Sequence, residues 1–256
     1  MKKILIMGLP GSGKTTLAKD LTKELNADWI NADDIRKKYN DWDFSKAGVL
    51  NQAKRMRNLA ARSKKRFVIA DFICPYEDGR NIFKPNLLIW MDTIKKGKFS
   101  TFDKTFQKPK KYDFKIREKN SKLWAIRVAN KLIKYKWDNR KPTIQMLGRY
   151  QPFHEGHLRL FEKILIKTGQ VCIQVKDVYR IGDNPFKFKK IKSSINRKLI
   201  NTYKSRYKIM LVPNITKICY GRKVGYEFEK IKLSKKLHRI SATKIRKKLR
   251  REGRLK

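Results

Sequence analysis

The sequence predicts an α/β protein made of two three-layer α/β domains. Short apolar runs alternate with segments of helical periodicity along most of the chain, as in folds built on parallel sheets. A strand, a glycine-rich turn and a helix follow one another at the start, and the same succession recurs after residue 142. With 256 residues the chain has room for two domains of common size. We therefore predict one domain over residues 1–139 and a second over residues 140–256.

The first domain begins with an apolar strand at residues 2–7, a glycine loop at 8–13 and a helix at 14–25. Further along, the pattern predicts a strand around 29–30, a helix at 55–62, buried strands at 67–71 and 87–91, and an amphipathic helix at 121–134. Residues 95–115 are basic with weak periodicity, which fits either a lid over phosphates or a long surface loop. The polar stretch 136–142 marks the predicted boundary.

The second domain repeats this alternation. The pattern predicts a strand at 143–147, a glycine turn, a helix at 157–165, a strand at 171–175, a basic helical region to about 207, a strand at 209–212 and a last helix from Thr243. A second α/β unit fits this order of elements.

The chain carries a large excess of positive charge. Its 66 Lys and Arg residues outnumber 22 Asp and Glu, for a formal net charge of +44. Such a field attracts nucleotides, nucleic acid and acidic membrane surfaces. A genome rich in A and T would load lysine in the same way, and the charges are spread along the whole chain. We predict nucleotides and small phosphorylated metabolites as partners, with nucleic acid as the alternative.

Several other classes of protein do not fit the sequence. No apolar run approaches the roughly 20 residues of a membrane span, and no signal-peptide pattern precedes the glycine loop. We therefore expect a cytoplasmic protein without a membrane partner. Cys74, Cys172 and Cys219 lie far apart, which predicts neither a disulfide framework nor a zinc site. Nothing in the sequence indicates the oligomeric state.

The first glycine loop has the pattern GxxxxGK[ST] between a strand and a helix. Its backbone N–H groups can hold phosphate oxygens, Lys14 can neutralise the β- and γ-phosphates, and Thr15 can offer its hydroxyl to Mg²⁺. The alternative is a glycine turn that arose by chance. The motif predicts ATP or GTP binding by Gly8, Pro10, Gly11, Ser12, Gly13, Lys14, Thr15 and Thr16.

A second group of polar residues follows the predicted second strand. A carboxylate at Asp33 could take the proton of an acceptor hydroxyl or bind the metal, and Arg36 could bind an anionic acceptor with two hydrogen bonds. The alternative is a structural role, in which Asp33 or Asp34 caps a helix that starts near Ile35.

These motifs resemble adenylylsulfate kinase. The loop, the Asp33-x-x-Arg36 element and the segment Phe72-Ile73-Cys74-Pro75-Tyr76 match that family over about residues 1–130. The resemblance implies that Lys14 and Thr15 serve ATP and Mg²⁺, that Asp33 is the acceptor-side and metal-binding carboxylate, and that Arg36 contacts the acceptor's phosphate.

The chain departs from that family at two places. Asn31 stands where the family has its first aspartate, and the family's Arg-x-x-Asn element falls on Val49-Leu50-Asn51-Gln52. The acceptor therefore stays open. The loop and an Asp-Asp-x-Arg element also resemble 5′-polynucleotide kinase of the bacteriophage type, which assigns the same roles to Asp33 and Arg36.

The second domain carries an HxGH motif after a strand and before a helix. Two imidazoles, His154 and His157, could hydrogen-bond the charge that grows on an α-phosphate during attack. Gly156 would let the nucleotide approach the backbone, and Gly148 and Arg149 belong to the same turn. The alternative is that the histidines only cap a helix.

A partner motif lies near the end of the chain. Ser241 and Thr243 offer hydroxyls at a helix start, and Arg246 could bind the β- and γ-phosphates that leave as pyrophosphate. The alternative is a capped basic tail helix. Together the two motifs resemble the cytidylyltransferase-like nucleotidyltransferases over about residues 142–250, and among them the nicotinamide mononucleotide adenylyltransferases.

The two resemblances imply a bifunctional ATP-dependent transferase. It would combine a P-loop NTPase-type kinase with a Rossmann-like HxGH nucleotidyltransferase that releases pyrophosphate from ATP or CTP, and both would use Mg²⁺. The alternative is a nucleic-acid end-processing protein whose kinase acts on 5′ ends and whose charge binds DNA or RNA.

Overall fold

The computed structural model describes residues 1–97, 100–219, 221–222, 225, 227–234, 237 and 240–255. The chain divides into two compact units, Met1–Ile133 and Lys134–Lys256. Where the sequence analysis placed the boundary after residue 139, the second unit begins at Lys134. None of the helices in the described ranges is long and apolar enough to cross a membrane.

The first unit is built on a five-stranded, fully parallel sheet in the order β2-β3-β1-β4-β5. Its strands are β1 (Lys2–Gly8), β2 (Asp28–Asn31), β3 (Phe67–Asp71), β4 (Leu87–Met91) and β5 (Phe114–Ile116). Its helices are α1 (Lys14–Leu25), α2 (Ala32–Tyr39), α3 (Lys46–Ala61), α4 (Glu77–Phe83), α5 (Ser100–Thr105) and α6 (Ser121–Leu132).

Both faces of this sheet are covered. Ile4 and Ile6 of β1 pack in one cluster with Leu17 of α1 and with residues of α6. The alternate residues Leu5 and Met7 pack in a second cluster with residues of α3 and α4. Strands buried on both faces explain why β1, β3 and β4 are continuous apolar runs. The α/β prediction is confirmed for this unit.

Two elements of the first unit differ from the prediction. Helix α3 begins at Lys46, where Ser45 caps it by accepting a hydrogen bond from the Gly48 N–H at 3.1 Å. The basic segment 95–115, predicted as a lid or a loop, contains the short helix α5 and leads into the edge strand β5. The Asp113 carboxylate, just before β5, accepts a hydrogen bond from the Leu88 N–H of β4.

The second unit contains a three-stranded parallel sheet in the order β6-β7-β8. Its strands are β6 (Ile144–Gly148), β7 (Val171–Lys176) and β8 (Tyr207–Val212), and its helices are α7 (Glu155–Thr168), α8 (Phe188–Tyr203) and α9 (Ala242–Arg251). Helix α7 packs against β6 and β7, and α8 packs against β8. The predicted α/β alternation is present, whereas a Rossmann-like assignment stays a prediction.

The polar stretch that the sequence analysis placed at the boundary belongs to the second unit. Gln170 is fully buried, and its Nε2 donates to the Asp138 carbonyl at 2.7 Å and to the Thr143 hydroxyl at 2.5 Å. The buried Arg206 guanidinium lies 4.1 Å from the centre of the Tyr135 ring. These contacts hold residues 135–143 against the residues that precede β7 and β8, and they explain why the unit starts before residue 140.

Candidate functional sites

The glycine loop of the first unit needs its glycines for backbone geometry. Gly11 and Gly13 have φ values of 86° and 94°, a region that side chains with a Cβ rarely adopt. A Cβ at Gly8 would lie 2.6 Å from the Met91 carbonyl oxygen of the neighbouring strand. The buried Ser12 hydroxyl has no hydrogen-bond partner among the described residues. Helix α1 begins at Lys14, directly after Gly13, so the loop lies at the N-terminus of this helix.

Lys14 lies inside this loop. Its Nζ donates to the carbonyl oxygens of Gly8 and Leu9, both at 3.0 Å. Burial lowers the pKa of the Lys14 ammonium to about 8, although the carboxylates of Asp71 and Asp33 act in the opposite direction. An anionic phosphate beside this ammonium would stabilise its charged form.

Asp71 is a site residue that lies outside the sequence motifs. It ends β3 in register with Ile6 of β1, next to the loop. Its Oδ2 accepts a hydrogen bond from the Thr15 hydroxyl at 2.9 Å, and its Oδ1 accepts one from Trp29 Nε1 at 2.7 Å. Burial raises the pKa of the Asp71 carboxyl, while these donors lower it. The sequence does carry a signal for this role. Asp71 ends an apolar strand in a chain that also has a P-loop, and such an aspartate often serves the metal ion.

The pair of Thr15 and Asp71 fits a magnesium ion. A hydroxyl and a carboxylate are hard oxygen donors of the kind that Mg²⁺ prefers, with phosphate oxygens and water completing its shell. Asp33, which the sequence analysis also named as a metal ligand, is exposed in the first turn of α2, and the Thr15 hydroxyl bonds to Asp71.

The N-cap of α2 is Asn31, so the alternative in which Asp33 or Asp34 caps this helix is wrong. Asn31 Oδ1 accepts hydrogen bonds from the N–H groups of Asp33 and Asp34, both at 3.0 Å. Its Nδ2 donates to both oxygens of Asp71 at 3.1 Å. The side chain of Asp33 is therefore not used as the helix cap, which leaves it available to a ligand.

Arg36 is buried, with only 5% of its surface exposed. Its Nη1 donates to the Asp41 carbonyl at 2.9 Å and lies 3.5 Å from the Asp41 carboxylate. Its guanidinium also lies 4.6 Å from the centre of the Phe44 ring. The same carboxylate accepts a hydrogen bond from Arg55 Nη2 at 2.7 Å, so two arginines meet at one aspartate.

In the second unit, His154 and His157 stack with 3.8 Å between ring centres. His154 is the N-cap residue of α7, and its N–H donates to Nδ1 of His157 at 3.2 Å. Burial lowers the pKa of both imidazoles, that of His157 to about 3, so both are neutral at pH 7. Because His157 Nδ1 accepts a hydrogen bond, its proton sits on Nε2.

The capping interpretation is therefore correct in part. His157 does cap the N-terminus of α7, but its Nε2–H remains a possible donor to a ligand. The two histidines stand in a capping-box arrangement, yet the buried Nδ1 of His154 makes no hydrogen bond of normal geometry among the described residues. Burying such an atom without a partner is costly, so a ligand or water is expected to satisfy it.

The glycines of this turn make room for rings. A Cβ at Gly156 would lie 3.1 Å from Cε1 of His154, and one at Gly148 would lie 2.8 Å from Cζ of Tyr150. The sequence analysis expected Gly156 to let a nucleotide approach; in the structure the His154 ring takes up this space. Arg149 is exposed at the start of the turn.

The structure brings the C-terminal motif to the HxGH turn. Arg246 is buried in α9, and its Nη1 donates a short hydrogen bond to the Gln151 carbonyl. The Gln151 side chain forms two hydrogen bonds with the Phe186 backbone, at 2.9 and 3.0 Å. Ser241 is the N-cap residue of α9 without a side-chain cap bond, and Thr243 accepts from Arg246 Nη2 at 3.2 Å.

The loop, the parallel sheet and the Thr15–Asp71 pair define the first unit as a kinase-like P-loop α/β domain. Residues 4–81 match a family model described as an AAA domain, which covers well under half of the chain. No curated protein matches the chain.

Solved structures similar to this chain include several kinases. The APS kinase of Mycobacterium tuberculosis, in complex with AMPPNP and APS, is 20% identical with a TM-score of 0.46, over 51% of this chain and 96% of that one. Shikimate kinase from Aquifex aeolicus is 19% identical with a TM-score of 0.39, over 51% and 95%. Shikimate kinase from Acinetobacter baumannii, in complex with shikimate, is 16% identical with a TM-score of 0.37, over 52% and 90%.

Proposed function

We propose that the chain is a bifunctional transferase, with a small-molecule kinase in the first unit and a nucleotidyltransferase in the second. The kinase rests on the half-buried Lys14 in the glycine loop beside the Thr15–Asp71 pair. The nucleotidyltransferase rests on the stacked neutral histidines and on Arg246, which donates to the Gln151 carbonyl of the same turn. ATP serves the first unit, and ATP or CTP serves the second.

In the first unit, each residue has a separate task. The loop N–H groups and Lys14 hold the β- and γ-phosphates, and Thr15 and Asp71 would hold Mg²⁺, which neutralises phosphate charge when bound. The carboxylate of Asp33 lies close enough to Lys14 to raise the pKa of the Lys14 ammonium. Its side chain is not used to cap α2. It is the best candidate to accept the proton of the acceptor hydroxyl.

In the second unit, the histidines act on the α-phosphate. The Nε2–H of His157 donates a hydrogen bond to a non-bridging oxygen, where negative charge grows as the acceptor attacks. His154 contributes a second contact through its partly buried ring. Because both rings are neutral at pH 7, each has one N–H to donate and one nitrogen that can accept.

The experiment follows ADP and pyrophosphate release separately, with ATP and CTP, during incubation with a metabolite extract. Lys14→Ala is expected to remove ADP release and to leave pyrophosphate release in place. His154→Ala is expected to lower pyrophosphate release about 10²–10³-fold and to leave ADP release in place. If either variant removes both products, the two activities do not reside in separate units.

A nucleic acid 5′ end is the second candidate for the kinase acceptor. It is favoured by the excess of cations, 66 against 22 anionic residues. Binding that weakens steeply as salt is raised, together with transfer of phosphate to a 5′-hydroxyl oligonucleotide, would support it. Oligonucleotides that neither bind nor accept phosphate would favour a small metabolite.

A further inference from the structure

Asp183 joins two arginines of the last helix. Arg246 lies against its Oδ2 through both Nε and Nη2, each at 2.8 Å, and Arg250 Nη2 donates to its Oδ1 at 2.7 Å. The two arginines are four residues apart on α9 and therefore lie on one face. Helical side chains lean towards the N-terminus, which directs Arg250 back to Arg246.

Arg246 has little capacity left for a ligand. Each of its three side-chain nitrogens meets a protein acceptor: Nε meets Asp183, Nη1 meets the Gln151 carbonyl, and Nη2 meets Asp183 and Thr243. Only 9% of its side chain is exposed. These contacts hold α9 to the turn that carries the histidines.

Arg250 is the accessible member of the pair. Its side chain is 41% exposed and, among the described residues, it meets only Asp183, through one nitrogen. Nε and Nη1 can therefore face a ligand. A guanidinium with free donors binds phosphate oxygens well.

We propose that Arg246 is a positioning residue and that Arg250, held beside it by Asp183, binds the β- and γ-phosphates of the nucleotide. This rests on the proposed nucleotidyl transfer, and it moves the role that the sequence analysis gave to Arg246 one helical turn along α9. Asp183 also keeps the two like charges together, because its carboxylate lies between them.

The test is binding of inorganic triphosphate to the full chain, measured by calorimetry. Every variant also carries Lys14→Ala, so that the P-loop contributes equally to all the measured affinities. Arg250→Gln is expected to weaken the affinity about tenfold, as for a lost charged hydrogen bond. Arg250→Lys should recover part of this loss. Arg251→Gln, the exposed neighbour on the same helix, is the matched control and should change affinity less than about twofold.

Pyrophosphate release distinguishes the two arginines further. Arg250→Gln should raise the KM for nucleotide and leave kcat unchanged, because it binds ground and transition states alike. Arg246→Gln should lower kcat, because it displaces the turn that holds the histidines.

Equal triphosphate affinity for Arg250→Gln and Arg251→Gln would overturn the assignment. If the affinity difference appears but no acceptor supports pyrophosphate release, the phosphate site stands and the nucleotidyl transfer fails.

Discussion

Arg36 and Arg246, which the motifs single out, each share an aspartate with a second arginine. Arg36 meets Arg55 at Asp41, and Arg246 meets Arg250 at Asp183. The motifs locate the first arginine of each pair because its spacing from other motif residues is fixed. They could not locate Asp183, which comes from a loop 63 residues before Arg246. Such partners are set by the fold and not by local pattern.

At the level of single residues, His157 combines a structural and a chemical task, and two substitutions separate them. Glutamine is a common residue at this third helical position because its side chain also accepts a hydrogen bond from the N-cap N–H. His157→Gln should keep the free energy of unfolding within about 0.5 kcal/mol and still lower pyrophosphate release about 10²-fold. His157→Ala should lower both the free energy of unfolding and pyrophosphate release. Urea unfolding and pyrophosphate release, measured on both variants, test this.

If His157→Gln retains full activity, the histidine is only a cap and the proposed α-phosphate contact is wrong. If the activity of both variants falls only in proportion to their stability, the same conclusion follows.

The lowered pKa of His157 also predicts a pH dependence of stability. Its pKa is about 3 in the folded chain and 6.5 in the reference state, so between these values the unfolded chain binds more protons. The free energy of unfolding therefore decreases as pH falls through this window. The lowered pKa of His154 adds to this decrease. Allowing for solvent screening, we expect the decrease in the free energy of unfolding between pH 7 and pH 5 to be about 1 kcal/mol smaller in His157→Gln than in the unsubstituted chain. Urea unfolding at the two pH values measures this, and an equal loss in both proteins would contradict it.

At the level of elements, the sequence predicts those whose pattern is strong and local. Helix α1 has the predicted bounds, and β3 and β4 are buried apolar runs between turn residues. Strand β5 was missed because it has three residues with a lysine at its centre. That lysine, Lys115, lies 3.2 Å from the Asp92 carboxylate and 3.8 Å from the centre of the Trp90 ring, contacts that no local pattern reveals.

The N-terminus of α2 yields a prediction at this scale. Asn31→Ala removes the cap of the helix and both amide hydrogen bonds to Asp71, so we expect a loss of about 1–2 kcal/mol in the free energy of unfolding. The Mg²⁺ concentration needed for half-maximal ADP release should rise, because Asp71 loses two donors that orient it. Asp34→Asn, in the same turn, is the control and should change neither quantity appreciably. Unchanged Mg²⁺ dependence in Asn31→Ala would argue against a metal-binding role for Asp71.

At the level of the whole molecule, acidic residues are scarce and several of them stand at the candidate sites. The chain has 22 Asp and Glu against 66 Lys and Arg. Asp71 collects donors beside the P-loop, while Asp41 and Asp183 each hold two arginines. In a chain with this excess of cations, clustered arginines repel one another unless a carboxylate separates them. Neutralising Asp41 or Asp183 is therefore a sharper probe of the sites than removing one of the many lysines.

The division of the chain gives the last prediction. A fragment that starts at residue 134 keeps Tyr135 against Arg206 and Asp138 on Gln170, whereas one that starts at residue 140 loses both contacts. The shorter fragment leaves the buried Gln170 amide and the Arg206 guanidinium with fewer partners, so it should be less stable by about 2 kcal/mol or more. Urea unfolding of the two fragments measures the difference. Gln170→Ala should reduce the difference in stability between the two fragments, because the longer fragment then also lacks the hydrogen bond between Gln170 and the Asp138 carbonyl. If the two fragments unfold at the same urea concentration, residues 134–139 do not stabilise the second unit, and the boundary lies after residue 139 as the sequence analysis predicted.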